Sequence, residues 1–247
     1  MKPKVAIFDF GCCEGCQLQI VNLEEDILGV LGLVDVVAWR EAVTGASDDY
    51  DIALVEGSIT MESEIPRLQA IREKAKVLVA LGACAHLGGI NCLKNYMDQD
   101  EVRRYVYGDK AKWFPSIQAR PLSAVVPVDL AIPGCPVDRK ELAEVIKAVA
   151  LGKKPPIPNY AVCVECQRKE NVCVFDKGMT CLGPVTRAGC DAICPTYGDG
   201  CIGCRGLLDD VNTQSHKQVL QDHGLTVEQV LANFRLFDGY FDVAKAP

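Results

Sequence analysis

The sequence predicts an α/β fold with a doubly wound parallel sheet, because short apolar strands alternate with helical segments through its first 153 residues. Strands with almost no polar residues are typical of a parallel sheet that is covered by helices on both faces. A second observation, the clustering of cysteines, separates this part from the rest of the chain. The predicted strands are 4–10, 34–39, 51–55, 77–81 and 128–132.

The helices between these strands carry local signals of their own. Apolar residues recur at helical spacing between residues 20 and 27, and residues 65–75 are also predicted to be helical. Asp138 and Glu141 have the spacing of a capping box at the start of a further helix. Gly152 is placed to end that helix.

The chain changes character after a proline-rich connector at residues 153–159. Residues 160–205 contain eight of the fourteen cysteines, several glycines and few large aliphatic side chains. Such a segment buries little apolar surface, so bound metal is expected to stabilise it. A helical tail follows over about 212–237, with a capping box formed by Thr226 and Gln229.

Two domains follow from this division. Residues 1–153 are predicted to form a flavodoxin-like sheet domain. Residues 154–247 are predicted to form a small irregular cluster-binding domain that ends in the helical tail.

Bulk composition excludes several classes of protein. The net charge is −7 and no basic run exists, so nucleic acid is not an expected partner. No apolar stretch approaches the roughly 20 residues that span a bilayer. The first residues leave no room for a signal peptide, so we expect a cytoplasmic protein. Stable disulfides are uncommon in that compartment, where cysteine patterns more often indicate metal binding or catalysis.

Four cysteines of the first region follow predicted strands. Cys13 and Cys16 come after the first strand, Cys84 after the fourth and Cys135 after the fifth. Parallel sheets bind ligands outside the carboxyl ends of their strands, so four thiolates are expected to converge on one edge.

The cysteines of the second region make two further sets of four. A [4Fe–4S] cluster takes four thiolates, so three clusters use twelve cysteines. Cys12 and Cys92 are then left over and are expected to be structural thiols. The eight cysteines of this region are Cys163, Cys166, Cys173, Cys181, Cys190, Cys194, Cys201 and Cys204.

Other uses of these cysteines are open at this point. Zinc also binds sets of four thiolates, and zinc ribbons use paired C-x2-C motifs, so a non-enzymatic zinc module for protein assembly is an alternative. A disulfide framework does not suit the expected compartment. Thioredoxin-like chemistry at Cys13 and Cys16 leaves the other cysteines unexplained.

Several motifs together resemble the small subunit of [NiFe] hydrogenases, and most of all the delta subunits of cytoplasmic, NAD(P)-linked sulfhydrogenases. The sheet region shares its motifs with the cluster-bearing subunit of respiratory complex I, so a complex I-type oxidoreductase is a further alternative. The CLGPVTRAGC segment is specific to hydrogenases. The matching segments are FGCCEGCQLQ, DIALVEGSI, LGACAHLGG, IPGCPVD and CLGPVTRAGC with CIGCRG.

The resemblance implies an electron-transfer subunit that works beside a catalytic partner. A nickel–iron large subunit would carry out hydrogen oxidation or evolution, and a flavin- or cluster-bearing partner would connect the chain to NAD(P) or ferredoxin. The D-P-C-x-x-C nickel motif is absent, so this chain is not expected to be catalytic by itself. The implied ligands are Cys13, Cys16, Cys84 and Cys135 for a proximal cluster, Cys190, Cys194, Cys201 and Cys204 for a medial cluster, and Cys163, Cys166, Cys173 and Cys181 for a distal cluster.

Two positions differ from the periplasmic branch of that family. The periplasmic branch has a histidine at the position of Cys163, and it has no cysteine at the position of Cys194, where it carries a three-iron medial cluster. Cysteine at both positions implies three [4Fe–4S] clusters here. Glu56, at the end of the third strand, is a candidate for tuning the proximal cluster or passing protons near it, although a capping or surface role is an alternative.

Overall fold

The computed structural model describes residues 2–24, 26–210, 213–224 and 226–244. Within these ranges, five strands form one sheet: β1 (Lys4–Asp9), β2 (Asp35–Trp39), β3 (Ile52–Glu56), β4 (Val77–Leu81) and β5 (Leu130–Ile132). Their order is β2-β1-β3-β4-β5, and each neighbouring pair is parallel. This is the strand order of flavodoxin-like folds, so the predicted fold class is confirmed.

The helices lie between and after these strands. Short 3₁₀ segments cover Gly89–Tyr96, Gly108–Trp113, Leu122–Ala124 and Val174–Lys177. The α-helices of the described ranges are α1 (Gly15–Val21), α2 (Asp26–Leu31), α3 (Glu64–Lys74), α4 (Gly82–Leu87), α5 (Gln99–Tyr107), α6 (Arg139–Ala150), α7 (Val162–Arg168), α8 (Ile193–Thr196), α9 (Thr213–Asp222) and α10 (Val227–Ala244).

Both faces of the sheet are covered, because successive side chains of a strand point to opposite sides. Leu54 of β3 packs in one apolar cluster with Leu142 of α6. Its neighbour Val55 packs in a second cluster with Leu68 of α3. The sheet region therefore has two apolar layers, which explains its nearly unbroken apolar strands.

The carboxyl ends of the strands are aligned. Asp9 pairs with Glu56, Glu56 pairs with Leu81, and Leu81 pairs with Ile132. The segments that follow β1, β3, β4 and β5 therefore leave the sheet at one edge. The cysteines of the first region lie in three of these segments.

Helix α6 begins at the predicted cap. The carboxylate of Asp138 accepts hydrogen bonds from the backbone N–H groups of Lys140 and Glu141, at 3.0 and 2.9 Å. In a capping box, the side chain of Glu141 would accept a hydrogen bond from the backbone N–H of Asp138. Here it instead binds the guanidinium of Arg205, at 2.7 and 2.8 Å. A bidentate bond between two charges is stronger than a bond to a neutral amide, which accounts for the difference.

Residues 160–205 contain little regular structure. Their apolar cluster consists of Val162, Val174 and Ala192 together with Cys181 and Cys201. The tail returns to the sheet region, because α10 packs against α4 and the 3₁₀ segment Gly89–Tyr96. Among the helices described, none combines the length and the apolar character that a membrane crossing requires.

The tail also contains the second predicted cap. The side chain of Gln229 accepts a hydrogen bond from the backbone N–H of Thr226 at 2.9 Å. The hydroxyl of Thr226 accepts one from the backbone N–H of Gln229 at 3.3 Å. Both halves of this capping box are therefore formed, at the start of α10.

Candidate iron–sulfur sites

The four cysteines of the sheet edge come together. Cys13 lies in the turn after β1, Cys16 in α1, Cys84 in α4 and Cys135 in the turn after β5. Burial raises the pKa of the Cys84 thiol to about 12, and negative charge on Cys135 and Cys13 adds to the rise. Burial also raises the pKa of Cys16, with a smaller contribution from Cys135. Thiolates at this separation repel one another, so the four thiols need a cationic partner before they can all ionise.

Two glycines leave room beside these sulfurs. A Cβ atom at Gly82 would lie 2.3 Å from the Sγ of Cys16, and one at Gly89 would lie 2.9 Å from the Sγ of Cys84. Both glycines also have positive φ angles, of 81° and 61°. A side chain at either position would displace a thiol, so both positions require glycine for the thiols to lie where they do.

Glu56 holds the helix that carries Cys16. Its carboxylate is 2% exposed and accepts hydrogen bonds from the backbone N–H groups of Cys16 at 3.1 Å and Gln17 at 3.2 Å. Burial raises the pKa of Glu56, and these backbone bonds oppose the rise. The structure therefore places Glu56 at the start of α1 as a capping carboxylate, while a tuning or proton-transfer role stays a prediction.

A second group forms around α7. Burial raises the pKa of the Cys163 thiol to about 12, and the charges of Cys181, Cys166 and Cys173 add to it. A Cβ atom at Gly183 would lie 3.2 Å from the Sγ of Cys181 and 3.4 Å from that of Cys163. These four cysteines are the set that the resemblance assigns to the distal cluster.

The third group lines a cavity of about 390 Å³. Burial raises the pKa of the Cys204 thiol to about 12, with contributions from Cys190, Cys135 and Cys194. Cys201 also lines this cavity, and burial raises its pKa too. The four cysteines assigned to the medial cluster therefore line one cavity, together with Cys135 of the sheet edge.

The third group lies between the other two. Cys135, from the sheet edge, lines the same cavity as Cys204, and its charge helps to raise the pKa of the Cys204 thiol. The backbone N–H of Cys201 donates to the Sγ of Cys181 in the α7 group at 3.2 Å. The order in space is therefore sheet edge, cavity group and α7 group.

The remaining two cysteines, Cys12 and Cys92, belong to none of the three groups. Cys92 is completely buried, and its Sγ donates to the carbonyl oxygen of Ala119 at 3.3 Å, which is a packing role. Cys12 is half-buried near Cys84, and burial together with the charge of Glu56 raises its pKa to about 12. Within the described residues, no three His, Cys, Asp or Glu side chains are arranged to hold a single metal ion.

Two buried charged side chains were not singled out from the sequence. Arg205 is 1% exposed and Glu165 is 9% exposed. Each had a local signal, since Arg205 follows Cys204 directly and Glu165 lies inside the Cys163–Cys166 motif. Their burial could not be predicted, because it depends on contacts with segments that are distant in the sequence.

Comparison with known proteins places the chain in a family. Residues 13–149 match the family model described as NADH ubiquinone oxidoreductase, 20 Kd subunit. The chain is 36% identical to the sulfhydrogenase 2 subunit delta of Pyrococcus furiosus, over 95% of this chain and 98% of that protein. It is 34% identical to a subunit of the vhu F420-non-reducing hydrogenase of Methanocaldococcus jannaschii, over 83% of this chain and 82% of that protein.

Solved structures share the fold. A chain of an NAD+-reducing [NiFe]-hydrogenase in the H2-reduced state superposes with a TM-score of 0.58 at 23% identity, covering 64% of this chain and 96% of that one. A chain of the [NiFeSe] hydrogenase from Desulfovibrio vulgaris Hildenborough gives 0.58 at 16% identity, covering 87% and 96%. The chain therefore belongs to the family of the 20 kDa subunit of NADH ubiquinone oxidoreductase, and within that family it is the small, iron–sulfur subunit of a hydrogenase complex.

Proposed function

We propose that this chain is the electron-transfer subunit of a cytoplasmic [NiFe] hydrogenase and that it holds three [4Fe–4S] clusters. The clusters would connect the nickel–iron site of a large subunit to a flavin- or cluster-bearing partner linked to NAD(P) or ferredoxin. The observation that carries the proposal is the arrangement of twelve cysteines in three adjoining groups of four. When bound, such clusters supply one-electron transfer at potentials set by charge, hydrogen bonds to sulfur and exposure.

The proposed ligands are the three groups described above. The proximal cluster is assigned to the sheet edge, the medial cluster to the cavity group and the distal cluster to the α7 group. Each thiol must lose its proton when the cluster binds. Backbone amides would help to stabilise a bound sulfur in the α7 group, where the N–H groups of Gly183 and Cys201 donate to the Sγ of Cys181 at 3.4 and 3.2 Å.

The exposure of the cysteines supports contact with one partner protein at each end of the series of three clusters. Cys13 and Cys135 of the sheet edge are exposed, and so is Cys173 of the α7 group. The four cysteines of the cavity group are buried or half-buried. We assign the sheet edge to contact with the large subunit, and the surface around Cys173 to contact with the next redox partner.

The names of relatives support the assignment of partners. One relative is the NAD-reducing hydrogenase HoxS subunit delta of Cupriavidus necator, which is 27% identical over 64% of this chain and 83% of that protein. Another is named an iron–sulfur subunit of an F420-non-reducing hydrogenase, from Archaeoglobus profundus. These names favour a hydrogenase complex, and the first of them favours a partner linked to NAD.

A complex I-type assembly is the second candidate, and the description of the matching family favours it. That match covers only residues 13–149, so it includes one of the three cysteine groups. The match with the hydrogenase relative from Pyrococcus furiosus covers 95% of the chain, so it extends through the region of the eight later cysteines. The hydrogenase assignment therefore accounts for more of the sequence than the complex I assignment does.

Anaerobic purification of the chain in its native complex tests the proposal. We expect a brown protein with about twelve iron atoms and twelve sulfides per chain, since each of three clusters holds four of each. We also expect a nickel-containing large subunit to co-purify. A colourless protein with bound zinc would support the zinc module, and a brown protein whose partners lack nickel would support a complex I-type assembly.

A further inference from the structure

Arg205 joins the sheet region to the cavity group of cysteines. Its guanidinium donates to the carbonyl oxygen of Pro133 at 2.8 Å, two residues before Cys135. Its Nε donates to the carbonyl oxygen of Ala188 at 2.8 Å, two residues before Cys190. The remaining nitrogen holds the carboxylate of Glu141 on α6 in a bidentate bond. One completely buried side chain therefore connects the Cys135 turn, the Cys190 loop and a helix of the sheet region.

Glu165 makes the corresponding connection between the cavity group and the α7 group. It lies on α7 between Cys163 and Cys166, and its carboxylate accepts hydrogen bonds from the backbone N–H groups of Gly189 at 2.8 Å and Ala192 at 3.1 Å. The loop that it holds is strained, because Asp191 and Ala192 both have positive φ angles, of 56° and 48°. Non-glycine residues keep such angles only where the surrounding contacts fix them.

The two side chains bind the same loop, Arg205 at Ala188 and Glu165 at Gly189 and Ala192. Cys190 lies within electrostatic reach of both the positive charge of Arg205 and the negative charge of Glu165. The loop carrying Cys190 is therefore fixed toward the sheet edge by a cation and toward α7 by an anion.

We propose that Arg205 and Glu165 are positioning residues that set the spacing between neighbouring clusters, Arg205 between the proximal and medial sites and Glu165 between the medial and distal sites. This inference rests on the proposed function, since it assigns a role toward the clusters assigned above. One nitrogen of the planar guanidinium of Arg205 binds both oxygens of a carboxylate, while its other two nitrogens reach two carbonyl groups. A lysine ammonium is a compact point charge and cannot reproduce that geometry.

The test uses the cluster-loaded complex with the variants Arg205→Lys and Glu165→Gln. Arg187→Lys is the matched control for the first. Arg187 lies in the same region, but its side-chain hydrogen bonds go to Pro158, Asn159, Leu207 and Asp209 rather than to the Cys135 turn or the Cys190 loop. Glu170→Gln is the control for the second, because Glu170 is exposed just after α7. EPR of the reduced protein measures the magnetic coupling between neighbouring clusters, and redox titration measures the medial potential.

We expect each variant to alter one coupling. Arg205→Lys should weaken the proximal–medial coupling and leave the medial–distal coupling unchanged, and Glu165→Gln should do the reverse. Glu165→Gln should also raise the medial potential, because it removes a negative charge near Cys190. Electron delivery to the distal site should fall by about tenfold in each variant, as is usual when a supporting group behind a metal ligand is removed.

Folding failure is separated from loss of positioning by a further variant. The double change Arg205→Met with Glu141→Met removes both partners of the buried ion pair, so that no unpaired charge stays buried. It should retain all the iron of the native protein and still show the weakened proximal–medial coupling.

Unchanged couplings and potentials in variants that hold their full iron content would overturn the inference. A native protein that lacks three clusters would instead contradict the proposed function. The two failures are therefore distinguished by the iron content of the unmodified chain.

Discussion

The sheet region and the cysteine-rich segment of residues 160–205 are stabilised in different ways. The sheet region buries two apolar layers, in which side chains such as Leu78, Leu81 and Leu122 have no exposed surface. The cysteine-rich segment has one small apolar cluster, and two of its five buried members are Cys181 and Cys201. The first region is expected to fold from its own packing, whereas the second needs its bound clusters.

Removal of iron should have the largest effect on folding, and only the cysteine-rich segment should unfold. We expect chelation to unfold residues 160–205 while the sheet region keeps its secondary structure, because only the former depends on metal for its core. Hydrogen exchange measured by mass spectrometry resolves the two regions. Equal loss of protection in both regions would contradict the view that only the cysteine-rich segment depends on bound metal.

The change Cys194→Pro tests the cysteine-rich segment without removing a whole cluster. We expect the medial site to lose about one iron and take a three-iron form, because only three of its four proposed thiolates remain. Proline is tolerated in the first turn of a helix, which is where Cys194 lies in α8.

EPR spectroscopy reads the outcome for Cys194→Pro. A three-iron signal in the oxidised protein supports the ligand assignment, and an unchanged four-iron signature in the reduced protein counts against it. Cys12→Ala is the control, since Cys12 lies outside the proposed ligand sets and its loss should leave the iron content unchanged.

A matched pair of leucine substitutions compares the two regions in iron-free protein. Leu78→Ala should lower the free energy of unfolding by about 3 kcal/mol, because it leaves a cavity in the sheet core. Leu182→Ala should have no such effect, although Leu182 is equally apolar and only 3% exposed, because its segment is already unfolded without iron. Urea denaturation followed by circular dichroism measures both. Similar losses in the two variants would show that the cysteine-rich segment has an independent core.

A smaller effect is expected at two helix caps within the sheet region. Asp138→Ala should destabilise the region by about 1 kcal/mol, because it leaves two amides of α6 without their acceptor. Asp98 caps α5 with the same pair of bonds, but α5 has no buried residue. Asp98→Ala should therefore fray α5 locally, with little change in the global transition. Thermal melts give the global effect, and hydrogen exchange gives the local one.

Much of the fold could be predicted because its signals are local. Apolar runs indicated the five strands, and the cap at Asp138 followed from residue spacing alone. The cysteine positions after β1, β4 and β5 also implied their convergence, because parallel strands end at one edge. The role of Glu141 was not predictable in this way, since its partner Arg205 lies 64 residues later in the chain.

The sequence by itself determined the number and type of candidate ligands, the two kinds of region and the resemblance to hydrogenase small subunits. These depend on residue identity and on short spacings. Only the tertiary structure decided which cysteine group lies between the other two, and only it placed Arg205 and Glu165 at the two junctions. Those features arise from hydrogen bonds between distant segments, such as Cys201 with Cys181 and Arg205 with Pro133, and no local pattern specifies such a bond.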